Sequence, residues 1–228
     1  MRLGIVAGLA LEAHRLGLPD KTPTSEFLVA SGAGEAAAAA AAKLLAAGAE
    51  ALLSFGLAGA LDPELEPGHL VVAVRVRTAD GAGYDCNAAW RDQLASEARL
   101  IGIQTRVGSL LGTTAVVSEP EEKAALNLEH GTIAVDTESH HVAEAAAGAG
   151  RPFAALRVIV DAQQYRLPAA ALAAYDADGR LRPSALAMEI LRRPAELPAM
   201  LGLARRSRIA LSSLGRIGRR GARLLPPV

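Results

Sequence analysis

Three carboxylates sit where strand-like runs give way to helix-like ones, and they are the residues of this sequence best placed to do chemistry. Glu12 follows the apolar run of residues 3–7, which Gly8 closes. Glu138 follows residues 132–135 and opens an alanine-rich helical pattern. Asp161 ends the largely apolar run 152–161. A fourth junction, Gly56-Leu57-Ala58-Gly59, follows residues 51–55 and reads as a loop whose glycines let backbone approach a ligand closely. In open α/β sheets, ligands bind in the crevice outside the carboxyl ends of strands. If these four ends converge, they bring three carboxylates together beside exposed backbone N–H groups. Carboxylates without a metal suit general acid–base cleavage of a glycosidic bond, whose transition state is oxocarbenium-like. The plain alternative for Glu138 is an acid in a first helical turn, complementing the helix dipole.

Other chemistries find fewer residues. Ser31-Gly32-Ala33-Gly34 precedes a helical run and could cradle an anion at a helix N-terminus. It lacks the third glycine of a dinucleotide fingerprint. His140 and Glu144 have helical metal-ligand spacing, but no third ligand accompanies them, so no metal site is expected. Cys86 has no reactive context. No Gly-x-Ser-x-Gly elbow, Walker loop or Ser–His–Asp set is present.

The elements that must position the carboxylates alternate along the chain. Strands are expected at residues 3–7, 27–30, 51–55, 69–77, 105–111, 132–135 and 152–161. Helices are expected from residue 9, over 35–47, 88–101 and 119–128, after Glu138, and for one turn at 169–174. Ser118 and Pro120 are good openers for the fourth of these. Trp90, Leu94, Ala98 and Ile101 recur at helical spacing, with Trp90 a packing residue, and the polar stretch 78–87 reads as a loop able to cover a pocket. This alternation predicts an α/β sheet with helices on both faces. The 228 residues suffice for one full-sized domain, and the core is built from Ala, Val and Leu, since aromatics are only 3%. Zero formal net charge argues against a polyanionic partner. One cysteine means no internal disulfide, which fits a reducing compartment. Without a signal-peptide layout or an apolar run of spanning length, a soluble cytoplasmic chain is expected.

Five strings, in this order and spacing, carry a resemblance. They are Gly4-Ile5-Val6 leading to Glu12, Ser31-Gly32-Ala33-Gly34, Gly56 to Leu61 before Pro67-Gly68-His69, Val135-Asp136-Thr137-Glu138, and Arg157-Val158-Ile159-Val160-Asp161. Over roughly residues 1–165 the chain resembles the purine nucleoside phosphorylase and nucleosidase superfamily. Within it the chain looks most like the hopanoid-associated phosphorylases, thought to remove adenine from adenosylhopane. Asp136-x-Glu138-Ser139-His140 and Leu156-Arg157-Val158-Ile159 suggest that branch.

The resemblance implies a three-layer αβα fold with a central mixed, partly barrel-like sheet. It implies Asp161 as the acid that protonates purine N7 and Glu138, with Thr137, as the ribose-binding group. Glu12 would orient and activate water, and the backbone of Leu57, Ala58 and Gly59 would line the nucleophile and ribose side. No cofactor is implied, phosphate entering only as a co-substrate of phosphorolysis, and a homo-oligomer is expected. Three positions depart from the family pattern. Val160 replaces a Ser before the acid, Thr137 replaces a Met, and Ser54 stands where one phosphorolytic branch carries a phosphate-binding Arg. Neither Arg75 nor Arg77 is clearly placed to supply one, so water and phosphate both stay open as nucleophile. The alternatives are a methylthioadenosine/adenosylhomocysteine nucleosidase, a general purine nucleoside phosphorylase, or a nucleoside-binding protein without catalysis.

The chain end differs from the rest. Residues 197–228 contain no acid, while Arg205, Arg206, Arg208, Arg216, Arg219, Arg220 and Arg223 alternate with leucines and isoleucines. Such a segment suits an anionic membrane surface; the alternative is a helix packed on the domain with solvated arginines. A catalytic domain of residues 1–196 and a basic segment of 197–228, peripheral at the inner membrane, are therefore expected. Nucleic acid is not, because aromatic stacking residues are missing from the run.

Overall fold

The computed structural model describes residues 1–17, 26–173 and 182–227. Ala174, the last residue of one expected helical turn, and Val228 lie outside them. In chain order the elements are β1 (Leu3–Ala7), α1 (Ala10–His14), β2 (Phe27–Ser31), α2 (Ala36–Ala46), β3 (Ala51–Ala60), β4 (Leu70–Thr78), β5 (Gly83–Asp85) and α3 (Ala88–Leu100). They continue with β6 (Thr105–Gly112), α4 (Pro120–His130), β7 (Ala134–Asp136), α5 (Ser139–Gly148), β8 (Phe153–Asp161), α6 (Ala169–Leu172), α7 (Pro183–Arg192) and α8 (Leu197–Gly218).

β3 organises the sheet. It pairs parallel with β1 on one side and with β8 on the other, and its last two residues pair antiparallel with β7. β7 continues to β6, β6 to β4, and β4 antiparallel to β8. Five strands, β3-β7-β6-β4-β8, thus close into a barrel-like ring, with β1 and β2 extending from β3 and β5 from β4. β1 is buried throughout, and β8 nearly so, as strands covered on both faces must be. Trp90 and Leu94 of α3 and Leu211, Leu214 and Ile217 of α8 join one apolar cluster with β1, β3, β4 and β8. Ala37, Ala41 and Leu44 of α2 join Val142, Ala143 and Ala146 of α5 in a second. Their small side chains let helix and sheet come close, and this is the three-layer mixed fold that the resemblance implies.

Two expected loops are strand instead. Gly56 to Ala58 pair residue for residue with Arg157 to Ile159 of β8, so these backbone groups are held in a ladder. The register then slips between Ala58 and Gly59, bringing Gly59 opposite Asp161. The glycines at 56 and 59 leave room for side chains of the site and do not form a turn. In the polar stretch 78–87, β5 folds back antiparallel on β4; it does not line the cleft described below. Glu119, not Ser118, is the N-cap of α4, and it has no capping side-chain bond.

The chain end is tied into this core. Trp90 Nε1 donates to the Leu224 carbonyl at 2.8 Å, and Gln93 Nε2 to those of Arg223 and Leu225 at 3.0 and 2.8 Å. Among the described residues, no helix is long and apolar enough to cross a membrane.

Candidate active site

The ends of β1, β3, β7 and β8 open into one cleft of about 440 Å³, a size suited to a small organic ligand. Glu12, Glu138, Thr137 and Asp161 line it, as do Leu57, Ala58 and Gly59. The three strand-end carboxylates, Thr137 and the Leu57–Gly59 backbone are therefore brought to one place.

Glu12 is buried in the first turn of α1. Its Oε2 accepts from the Leu9 N–H at 2.9 Å and its Oε1 from the Leu57 N–H at 3.0 Å. Burial pushes its carboxyl up to about 7, Arg157 opposing and Glu138 reinforcing the rise. The Leu57 N–H is thus taken by Glu12. Side-chain bulk is excluded around this group. A Cβ on Gly56 would come within 2.7 Å of Glu12 Oε2, and one on Gly8 within 3.0 Å of Glu138 Cδ.

Glu138 is the N-cap residue of α5, yet Asp136 does the capping. Asp136 Oδ1 accepts from the N–H groups of Glu138 and Ser139 at 2.8 and 2.6 Å. Glu138 itself turns to the cleft, where its Oε1 accepts from the Gly34 N–H at 3.1 Å and from Thr137 Oγ1 at 2.6 Å. The glycine turn that looked like an anion cradle does hold an anion there: the chain's own Glu138. Gly34 adopts φ +51°, which favours glycine.

Beneath these acids lies Arg157, wholly buried in the middle of β8. Its Nε lies 3.2 Å from Asp136 Oδ2 and 3.0 Å from Ser139 Oγ; Nη1 faces Glu138 Oε2 at 3.4 Å and the Leu57 carbonyl at 3.3 Å; Nη2 donates to Ser54 Oγ at 2.7 Å. Burial alone weakens a guanidinium's hold on its proton, but Asp136, Glu138 and Glu12 more than reverse that. Sequence reasoning gave neither Arg157 nor Asp136 a role of its own. The available signal was a charged residue inside an apolar strand, which must find a partner. Ser54, at the position of the missing phosphate-binding Arg, is a hydrogen-bond acceptor for Arg157. Arg75 pairs with Asp85 at 3.5 Å on β5, away from the cleft lining.

Asp161 ends β8 and is buried as well, with its carboxylate 3.3–3.4 Å from where a Cβ on Gly59 would stand. Burial raises its affinity for a proton, against the pull of Lys123. Lys123, from α4, is completely buried; its ammonium ion-pairs with Asp161 Oδ2 and donates to the carbonyls of Tyr165 at 2.9 Å and Ala162 at 3.4 Å. Nothing in the sequence marks Lys123, which follows Glu121 and Glu122 on what reads as a solvated helix.

The cleft is also lined by the aliphatic side chains of Val116, Val117, Leu167, Leu172 and Leu203. Elsewhere, His140 is buried in α5, stacked on His141 with ring centroids 3.9 Å apart. Burial lowers its pKa, as does His141. The Cys86 thiol is pushed by burial up to about 12, which leaves it unreactive.

The family model of the phosphorylase superfamily matches residues 22–191, most of the chain, and the protein belongs to that superfamily. It is an enzyme of the kind that cleaves nucleoside N-glycosidic bonds. Among solved structures it is similar to futalosine hydrolase of Helicobacter pylori, at 20% identity over 82% of this chain and 93% of that one, with a TM-score of 0.66. It is similar to 5′-methylthioadenosine/S-adenosylhomocysteine nucleosidase of Campylobacter jejuni at 20% identity, 82% and 95% coverage and TM-score 0.66. A mutant Helicobacter pylori nucleosidase of the same name, with 5′-methylthioadenosine in its active site, aligns at 16% identity over 95% and 97% of the two chains, TM-score 0.69. At these identities the likeness is one of fold. No curated protein sequence matches the chain.

Proposed function

We propose that the protein cleaves the N-glycosidic bond of an adenine nucleoside bearing an apolar 5′ substituent, with adenosylhopane as substrate and adenine as product. The observation that carries this reading is a cleft lined by three carboxylates, Glu12 and Asp161 buried and Glu138 half-buried, together with five aliphatic side chains from other elements. Asp161 protonates N7 so that the base leaves neutral. Glu138, fixed by Gly34 and Thr137, binds the ribose hydroxyls and faces the developing positive charge on the sugar. Glu12 activates the nucleophile, and the aliphatic wall takes the 5′ group.

Water is the nucleophile we favour. A phosphate dianion needs a free, preferably bidentate, arginine. Arg157 approaches Glu138, and all three of its nitrogens are already engaged. Glu12, half-ionised near neutrality, can instead take a proton from water. Adenine release from adenosylhopane, with and without phosphate, tests both points. Release independent of phosphate is expected, and no release from the lipid substrate would overturn the assignment. A second reading, a methylthioadenosine nucleosidase, is favoured by the nucleosidase structure that holds that nucleoside. Release of adenine from methylthioadenosine alone would establish it.

For a lipid substrate, contact with a membrane follows naturally. Residues 182–228 hold ten arginines and two glutamates, net +8, against −8 for the remainder. In α8, Leu197, Leu201, Arg205, Arg208, Ser212 and Arg216 lie along an exposed stripe, while Leu203 and Ser207 reach the cleft. Segment 197–228 would thus serve as a wall of the catalytic domain, residues 1–196, and as its contact with the anionic inner membrane surface. Co-sedimentation with phosphatidylglycerol vesicles but not phosphatidylcholine vesicles is expected, and equal behaviour with both would remove the electrostatic argument. Homo-oligomerisation, implied by the resemblance, is checked by light scattering.

A further inference from the structure

We infer that Lys123 is a proton-supplying, positioning residue for the acid Asp161. The inference rests on the glycosidase reading above and deepens its acid step. Asp161 lines the cleft, and its one ionic partner among the described side chains is Lys123, with no exposed surface. The ammonium's three donors are all satisfied, by Asp161 Oδ2 and by the carbonyls of Ala162 and Tyr165. A buried ion pair is a poor stabiliser compared with well-packed apolar residues. An Asp–Lys pair can, however, hold one mobile proton between two bases of very different ordinary strength. Val160 precedes Asp161 with a side chain that cannot hydrogen-bond, so Lys123 is the group left to orient the carboxylate.

The step balances as follows. The C1′–N9 bond breaks with its electron pair going to the base. The pair's single mobile proton passes from Lys123 Nζ to Asp161 Oδ2 and on to N7, leaving amine, carboxylate and neutral adenine. Water bonds to C1′ and gives its proton to Glu12. Exchange with solvent after product release moves that proton's equivalent back to Lys123. The other charged groups near the pair are Glu119, at the start of the same helix, and Arg206 of α8. Glu119 is held by Arg166 at 2.7 Å, and Arg206 stacks on the Tyr165 ring at 4.3 Å. Neither stands between Lys123 and Asp161 as a proton carrier. The coupled pair keeps its one proton over a wide pH span. A lone Asp161 would lose its proton as pH rises.

The test compares Lys123→Gln, which keeps a hydrogen-bond donor, and Lys123→Arg, which keeps the charge, with wild type. Two leaving groups are used: adenine, from adenosylhopane or methylthioadenosine, and 4-nitrophenolate, from 4-nitrophenyl riboside, which departs without a proton. The expected result for Lys123→Gln at pH 8 is a ~10²-fold loss in kcat for adenine, shrinking towards pH 6, with nitrophenolate release changed by less than about threefold. Arginine, which does not surrender its proton, does not restore adenine release. Rescue by arginine, or equal slowing of both leaving groups at every pH, overturns the proposal. Should neither variant fold, wild type decides. Its adenine release, relative to nitrophenolate, stays level from pH 7 to about 9 if the pair holds the proton, and a fall beginning below pH 8 overturns it. Wild type that releases neither leaving group overturns the glycosidase reading itself, which is a different result from active wild type with indifferent variants.

Discussion

The cleft is floored by two buried cation–carboxylate groups, and they are built differently. Around Arg157, three carboxylates, two hydroxyls and a carbonyl surround a planar fork that never releases a proton. Around Lys123, one carboxylate and two carbonyls surround a compact ammonium. The first arrangement fixes geometry: Glu12 and Glu138 are held at set places around the guanidinium. The second, on the proposal above, holds a single proton on the leaving-group side of the cleft. Both bury charge, and only the chemistry of the cation separates a scaffold from a reservoir.

The contrast breaks most completely at Arg157. Arg157→Met leaves the buried Asp136 carboxylate without its countercharge and removes the cation facing Glu138, a loss of about 3–5 kcal/mol. Most of the protein is expected to be insoluble or to melt far lower, as thermal denaturation would show. At the other group the expected damage is chemical. Asp161→Asn should lower adenine release by ~10²–10⁴-fold, and because a buried lysine, unlike arginine, can give up its proton when its countercharge is removed, the loss of stability should be smaller than at Arg157. An equally large fall in melting temperature would make that pair a scaffold like the first.

Glu12 sharpens the comparison through pH. Its carboxyl is raised from 4.5 to about 7, so as a base it works above that value. Activity should rise roughly tenfold per unit up to pH 7, and Glu12→Gln should abolish that limb and lower the plateau. The sign for stability is opposite. Between pH 4.5 and about 7 the folded chain binds a proton that the unfolded chain has released, so stability falls as pH rises through that window. The full drop is on the order of 3 kcal/mol, and denaturant titration at pH 5 and pH 8 measures it against Glu12→Gln. The smallest effect is expected at the apolar wall. Leu203→Ser should raise KM for a substrate with an apolar 5′ group by about tenfold and leave plain adenosine nearly unchanged.

Much of this was legible before the structure. Apolar runs placed β1, β2, β4, β6 and β8 within a few residues; for β1 and β8 the reason is that burial on two faces demands continuous apolar sequence. Gly56 to Gly59 misled: glycine usually punctuates, but here it makes space for Arg157 and Asp161 across a paired strand. The Ser31–Gly34 turn, expected as an anion cradle at a helix N-terminus, gives its Gly34 N–H to the chain's own Glu138. Lys123 carried no local mark, since a helix lysine beside two glutamates is ordinarily solvated.

The sequence by itself determined the alternation of strand and helix, the three strand-end carboxylates and the acid-free arginine segment, because each is a local pattern of residue types. Only the tertiary structure decided which groups meet: Arg157 under Glu138, Gly34 against Glu138, Lys123 against Asp161, and the chain end on Trp90. Those pairings span up to 134 residues of sequence. A buried charge or polar atom is satisfied by whatever the closed sheet brings to it, and its own neighbours along the chain leave no trace of that partner.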